Sequence, residues 1–154
     1  MRIVLVVPGG VDPPGGERII PFVHDLVQRL SAHHDVRVLA LGHDPTPGSW
    51  QLFDAHVVNI PIGAHGKGDI ARVLFEARRH AGAGGRPDVI HALWANLPGL
   101  AASTVGRQLG AGVVVSVGGG ELASVPAIGY GGGLARSSRQ LARTSLRLAH
   151  AVTV

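Results

Sequence analysis

Residues 112–122 have the sequence "GVVVSVGGGEL", in which an apolar run leads into three consecutive glycines and a glutamate. The run is β-branched and does not alternate with polar residues, which predicts a strand covered on both faces of a parallel sheet. Three glycines are entropically costly to order and leave no side chains to pack where the strand ends. The stretch therefore predicts a buried strand followed by bare backbone that either meets a ligand or only makes a tight turn.

Similar runs recur along the chain and alternate with helical patterns. Further strands are predicted at 2–7, 36–41, 56–60, 88–93 and, opening a sixth, 150–154. Helices are predicted at 18–30, 68–81, 97–109 and 134–149. Glycine- and proline-rich segments predict loops at 8–16, 42–49, 82–87 and 118–133. This alternation predicts an α/β fold, a Rossmann-like parallel sheet with helices on both faces.

Length and composition limit the class of protein. The 154 residues suit one domain, and the absence of cysteine excludes disulfides and thiolate metal sites. The net charge of +4 is carried mostly by arginine, which suits phosphate and carboxylate partners, although a genome biased toward arginine codons explains it equally. No apolar run is long enough for a signal peptide or a membrane span, so we expect a soluble, cytoplasmic protein. The sequence ends inside an apolar run, and we expect it to continue past Val154.

Three loops carry the candidate site, because ligands of open α/β sheets bind beyond the carboxyl ends of the strands. In the first loop, Gly15 and Gly16 come just before the predicted helix, where free N–H groups favour an anion. The second and third loops contribute His91, Trp94, Asn96, Gly118, Gly119, Gly120 and Glu121.

Most residues of the second and third loops also have a purely structural explanation. The three glycines of the third loop permit a tight turn, and Trp94 plugs the end of the sheet. His91 would then be a half-buried histidine with its hydrogen bonds satisfied, and Glu121 a cap for the following turn.

Other common chemistries lack their motifs. A dinucleotide site requires G-x-G-x-x-G after the first strand and an acidic residue at the end of the second, and neither is present. The P-loop motif and the G-x-S-x-G elbow are also missing. The histidines show neither H-E-x-x-H nor another metal-ligand spacing, so we expect no metal site.

The last predicted helix carries a basic stripe opposite Leu134, Leu141 and Leu148. The stripe is formed by Arg136, Arg139, Arg143 and Arg147. It is either a solvated face or a contact surface for an anionic membrane or a phosphate-bearing partner. The stripe lacks aromatic residues for base stacking, which argues against nucleic acid.

The motifs taken in order, "RIVLVVPGG", "PDVIHALW", "VVVSVGGGEL", "IGYGGG" and "RLAHAVTV", resemble the N-terminal half of family 4-type glycosyltransferases of the GT-B fold. The resemblance implies that residues 1–154 form the acceptor-side domain of an enzyme with two Rossmann-like domains. A C-terminal domain would bind the nucleotide-sugar donor, a sugar or lipid-linked molecule would be the acceptor, and no further cofactor is expected. It also implies retention of configuration, and inactivity of residues 1–154 alone.

The resemblance also assigns roles to residues. Gly15 and Gly16 match glycines that approach the donor's diphosphate or sugar, and the loop from Gly118 to Glu121 faces the reacting centre. Arg18 and Tyr130, in the same loops, complete the predicted substrate-binding set. Many relatives carry histidine at the position of Gly118, so no catalytic residue is assigned. The alternative is a non-catalytic binding or scaffold module that uses the basic helix, in the cytoplasm or at the inner membrane face.

Overall fold

The computed structural model describes residues 1–63 and 66–154. Seven strands lie in these ranges: β1 Arg2–Val7, β2 Asp35–Leu41, β3 Gly48–Leu52, β4 Ala55–Ile60, β5 Val89–Leu93, β6 Gly112–Ser116 and β7 Ala151–Thr153. The same described residues form the helices α1 Pro21–Ser31, α2 Gly66–Gly82, α3 Leu97–Leu109 and α4 Arg136–Leu148. Two short 3₁₀ turns, Pro126–Ile128 and Gly132–Leu134, lie between β6 and α4.

The strands form one sheet in the order β3-β4-β2-β1-β5-β6-β7, with β1 at its centre. Every neighbouring pair is parallel except β3 and β4, which form an antiparallel hairpin. The predicted Rossmann-like α/β fold is confirmed. The prediction of a loop over 42–49 was wrong in part, because β3 begins at Gly48. This edge strand is mostly exposed, so its sequence lacks the continuous apolar run of the central strands.

Side chains alternate between two cores on the two faces of the sheet. In β1, Val4 and Val6 join the core that contains residues of α2, α3 and α4. Leu5 and Val7 join the opposite core, with Val23 and Val27 of α1. Helices therefore cover both faces, as predicted, and both cores are built almost entirely from aliphatic side chains.

Two helices differ in detail from the predictions. Helix α1 begins at Pro21 rather than at residue 18, because the chain between Gly10 and Ile20 folds back on itself. In α4 the fully buried positions are Ala142 and Ser145, whereas Leu134 precedes the helix and is 40% exposed. The small buried residues let α4 approach α3 closely, and Ser103 Oγ donates to the Ser145 carbonyl at 2.9 Å.

Candidate functional site

The loops that follow β1, β5 and β6 lie side by side at one edge of the sheet. These three strands are parallel neighbours, so their carboxyl ends meet there. A cleft of about 390 Å³ opens beside the second and third loops. It is lined by Trp94, Asn96, Gly120, Glu121, Tyr130, Gly131, Gly132 and Ser138. The structure thus brings five of the predicted site residues into one cavity and adds Gly131, Gly132 and Ser138, which were not predicted.

Glu121 joins two of the loops through one carboxylate oxygen. Its Oε1 accepts the backbone N–H of Ala95 at 3.1 Å and that of Gly118 at 3.0 Å. The side chain is buried, with 8% of the residue exposed. Glu121 therefore fixes the loop after β5 to the loop after β6, rather than capping the turn that follows it.

Trp94 explains why residue 118 is a glycine. An ideal Cβ on Gly118 would lie 2.5 Å from Trp94 Nε1 and 2.9 Å from Cδ1, well inside van der Waals contact. Trp94 has a φ of 75°, a left-handed conformation that is uncommon for a large residue and recurs at functional sites. The indole therefore occupies the space that a side chain at position 118 would need.

Trp94 lines both the main cleft and a smaller cavity of about 100 Å³. Phe22 of α1 and Gly118 line the smaller cavity with it. The Phe22 and Trp94 ring centroids are 5.7 Å apart. Trp94 therefore shapes both cavities and does not merely plug the sheet end.

The other two glycines of the third loop have different surroundings. An ideal Cβ on Gly120 would lie 2.8 Å from the Tyr130 hydroxyl, so glycine leaves room for the Tyr130 side chain beside this loop. Gly119 is exposed, and no atom lies within 4 Å of its ideal Cβ. Bare backbone at Gly119 is therefore open to an approaching ligand, with space on its Cβ side that Gly118 and Gly120 lack.

His91 lies in β5, outside the residues that line the cleft. Its Nε2 is 2.7 Å from Ser116 Oγ, which in turn is 2.6 Å from Thr153 Oγ1. Burial lowers the pKa of His91 below its ordinary value, so the ring is held in its neutral form. This half-buried, hydrogen-bonded histidine therefore fits the purely structural explanation of His91.

The first loop places Gly15 and Gly16 away from the helix terminus. Gly16 N–H already donates to the Pro13 carbonyl at 2.9 Å, and the helix begins only at Pro21. The expectation that the two glycines sit at a helix N-terminus was therefore wrong. Gly15 is exposed with no atom within 4 Å of its ideal Cβ, so its backbone remains accessible.

Arg18 is held by two carboxylates within the protein. Its Nη2 lies 2.9 Å from Asp12 Oδ1, and its Nη1 lies 2.9 Å from Asp44 Oδ1. His43 Nε2 also contacts Asp12 Oδ1, at 2.7 Å. This network, which the sequence analysis missed, ties the first loop to the loop after β2. Arg18 thus fixes the loop rather than presenting a free cation to a ligand.

The network makes stability depend on pH. The Arg18 backbone N–H, donated to Asp12 Oδ2 at 2.9 Å, is the largest of the contacts that lower the pKa of Asp12 to about 2, and the His43 and Arg18 side chains add to it. Because the folded pKa is below the unfolded value, this stabilisation is complete above about pH 4 and disappears as the pH falls to about 2.

We therefore expect Asp12→Asn to lower the free energy of unfolding at neutral pH by an amount on the order of 2 kcal/mol. Urea unfolding between neutral pH and pH 2 should show the difference from wild type narrowing below about pH 4. Asp54→Asn, in an exposed turn, serves as the control. If the free energy of unfolding of Asp12→Asn stays below that of wild type by a constant amount from neutral pH to pH 2, the prediction is contradicted.

The four arginines of the stripe on α4 are all exposed. In the residues that the structure describes, none of them forms an ion pair with a carboxylate. The stripe is therefore uncompensated positive charge on the outside of the helix whose first turn contributes Ser138 to the cleft.

Residues 1–63 and 66–154 show neither a membrane span nor a metal-binding cluster. No helix there is both long and apolar enough to cross a bilayer. Within the same ranges, no group of three or more histidine, aspartate or glutamate side chains is arranged to hold a metal ion.

Comparisons with known proteins identify relatives in sequence and in fold. A family model described as a glycosyl transferase 4-like domain matches residues 19–154. None of the curated proteins matches the sequence. Among solved structures, the UDP-GlcNAc 2-epimerase from Methanocaldococcus jannaschii is similar over 99% of this chain, with a TM-score of 0.58 and 14% identity.

A protein from Listeria monocytogenes described as a UDP-N-acetylglucosamine 2-epimerase is similar over 98% of this chain, with a TM-score of 0.56 and 10% identity. This chain covers 38% of each of these two proteins, so it spans well under half of their length. Similarity at such low identity shows the fold alone.

Proposed function

The chain belongs to the family of glycosyl transferase 4-like domains, and on that premise we propose that it is the acceptor-side domain of a glycosyltransferase that uses a nucleotide-sugar donor. The observation that carries the proposal is the cleft of about 390 Å³ at the carboxyl edge of the sheet, lined by five of the residues that the sequence assigned to substrate binding. A cavity of this size accommodates a sugar ring with part of its substituents.

The proposed roles of the residues follow from their contacts. Glu121 holds the loops after β5 and β6 together, so the cleft exists before a ligand arrives. Trp94 and Tyr130 supply its aromatic walls. The exposed backbone of Gly119, and that of Gly15 in the first loop, is where a donor sugar or diphosphate would pass, stabilised by N–H groups.

In this proposal, the nucleotide-sugar donor is bound mainly by a domain other than residues 1–154. A C-terminal domain would hold the nucleotide-sugar, the reaction would retain anomeric configuration, and residues 1–154 alone would not transfer sugar because the reactants are not held together. No cofactor besides the co-substrate is proposed, and the enzyme would work in the cytoplasm. No side chain of the cleft is assigned as a catalytic base.

The test begins with the polypeptide that the native cell produces. An immunoblot with antibodies raised against residues 1–154 should detect a polypeptide of about twice the mass of these residues or more, given usual domain sizes. That polypeptide, purified, should transfer labelled sugar from at least one member of a panel of nucleotide-sugars. Detection at the mass of residues 1–154 alone, with no transfer even alongside co-purifying proteins, would reject the proposal.

The basic stripe favours a second candidate, a non-catalytic module that binds an anionic membrane surface. Four exposed arginines without carboxylate partners in the described residues are what such a surface attracts. The same property would also place the glycosyltransferase at the inner membrane face, so vesicle binding alone does not separate the candidates. Response to vesicles without any response to sugars would favour the module.

We expect Arg139→Gln/Arg143→Gln to reduce partitioning onto phosphatidylglycerol vesicles by about 10- to 30-fold, since each arginine near an anionic surface contributes about 1 kcal/mol. Co-sedimentation at low and high salt measures the effect, which should shrink as salt screens the charges. Arg29→Gln/Arg78→Gln removes the same charge from exposed positions on α1 and α2. Equal loss in both double variants would mean that net charge, rather than the stripe, drives the binding.

A further inference from the structure

Strand β3 is the last strand on one side of the sheet and leaves one of its edges unpaired. Among the described residues it pairs only with β4, and the cleft lies on the other side of the sheet, beyond β4, β2 and β1. Edge strands often carry charged residues or proline, which prevent pairing with another chain, and β3 has neither. Its free edge is therefore open to a further strand.

The geometry of the β3–β4 hairpin determines which backbone groups point outward. Leu52 and Ala55 close a two-residue turn, so they form a hydrogen-bonded pair, and the bonding alternates from there along the strand. Trp50 therefore bonds to β4, whereas the N–H and C=O groups of Ser49 and Gln51 point away from the sheet. In the part of the chain that the structure describes, no backbone group satisfies them on that side.

The strand is complementary to a second copy of itself in antiparallel register. With Trp50 opposite Trp50 of the second copy, Ser49 lies opposite Gln51, and their outward groups hydrogen-bond to one another. Gly48 then lies opposite Leu52. The half-buried tryptophans form the closer, non-hydrogen-bonded pair, in which aromatic contacts are favourable. This register satisfies the outward groups of Ser49 and Gln51 in both copies.

Charges at the two ends of β3 favour the same arrangement. At one end, Asp54 is exposed and forms no ion pair with the described residues. At the other end, Arg79 lines a groove of about 330 Å³ with Pro47 and Gly48. Arg79 uses Nε and Nη2 to bond Glu76, and its Nη1 has no partner in residues 1–63 and 66–154. Antiparallel pairing brings Asp54 of each copy toward the groove of the other.

We propose that the chain self-associates through β3, as a two-fold dimer in which the sheets of two copies join into one. Stable interfaces bury about 1,200–2,000 Å² in total, and a five-residue strand supplies an area at or below the small end of this range. The dimer is therefore weak and exchanges with the monomer. The proposal is independent of sugar transfer, because β3 and the cleft are on different sides of the sheet, so either proposal can fail without the other.

Sedimentation equilibrium over a concentration series should show a monomer–dimer equilibrium. Hydrogen exchange locates the interface, because the amides of Ser49 and Gln51 should gain protection as the concentration of the chain rises. The amide of Trp50 should be protected at every concentration by its bond to β4. A chain that stays monomeric even at about 1 mM overturns the proposal. A dimer in which the Ser49 and Gln51 amides remain unprotected overturns it as well.

Two variants test the edge directly. Gln51→Lys places a charge on the free edge and should raise the dissociation constant of the dimer by about 10-fold or more. Ser49→Pro removes an outward N–H, which an edge strand tolerates, and should have the same effect. Gln28→Lys, at an exposed position of α1, is the matched control, and urea unfolding verifies that each variant is folded. Unchanged association in either folded variant, or an equal loss in Gln28→Lys, overturns the proposal.

Discussion

Gly118→Ala is expected to abolish detectable binding of a sugar in the proposed acceptor cleft and to lower the free energy of unfolding by about 1–3 kcal/mol, the usual cost of overpacking. The added methyl group would lie 2.5 Å from Trp94 Nε1, so the indole must move. Moving it changes the wall shared by both cavities. The backbone of Gly118 does not have a positive φ, so alanine itself is not strained there.

The measurement is urea unfolding together with the indole N–H resonances, one for each of the two tryptophans. The resonance of Trp94 should shift while that of Trp50, whose Nε1 donates to the Val11 carbonyl at 2.9 Å, should not. Gly48→Ala is the control, because no atom lies within 4 Å of its ideal Cβ and its φ is not positive.

A double-mutant cycle tests the cause directly. If the collision with the indole explains the loss, Gly118→Ala should cost much less in a Trp94→Ala background, where the indole is absent. Additive losses of stability would show that Trp94 is not the reason for glycine at this position. The resemblance implies that many relatives carry histidine where this chain has Gly118. A collision measured by the cycle would explain the difference, because a histidine at position 118 and the Trp94 indole would compete for the same space.

The sequence predicted that the loops after β1, β5 and β6 lie together, because this arrangement follows from a general property of parallel sheets. Apolar runs identified β1, β5 and β6, and the carboxyl ends of adjacent parallel strands always share one edge. This reasoning brought Trp94, Asn96 and Glu121 together without any coordinates. Side-chain contacts between different loops could not be predicted in this way.

Arg18 and Gly118 show which contacts the sequence pattern could not predict. Arg18 was predicted to bind substrate, yet its guanidinium pairs with Asp12 and Asp44, and Asp44 comes from a loop that follows a different strand. Gly118 resembles a ligand-facing glycine, but the group that approaches it is the indole of Trp94. In both cases a partner distant in sequence decides the role, and periodicity carries no information about it.

The residues after Tyr130 were missed for a related reason. The "GGG" at 131–133 is visible in the sequence, but it lines the cleft only because the loop folds back on itself. Gly132 N–H donates to the Gly120 carbonyl at 2.9 Å, and Gly133 N–H donates to the Ala123 carbonyl at 2.8 Å. These two bonds close the loop and bring Gly131 against Ala123.

Gly131→Ala should open this loop and eliminate sugar binding in the proposed acceptor cleft, with little change in the global free energy of unfolding. An ideal Cβ on Gly131 would lie 2.1 Å from the Ala123 carbonyl oxygen, and the φ of 111° is one that alanine rarely adopts. Neither problem is relieved by a side-chain movement, so the backbone must separate. Gly131 and Gly132 both line the cleft, and its wall would be lost with them.

Hydrogen exchange gives the size of the effect. The amides of Gly132 and Gly133 should exchange about 10²-fold faster, the equivalent of roughly 3 kcal/mol of local strain. Amides of β1 and β5 should be unaffected, because no residue of this loop belongs to either buried core. Gly119→Ala separates collision from backbone strain, since its φ of 95° is also one that alanine rarely adopts but no atom lies within 4 Å of its ideal Cβ. Equal exchange in the two variants would attribute the effect to φ alone and remove the Ala123 contact as the closure of the cleft.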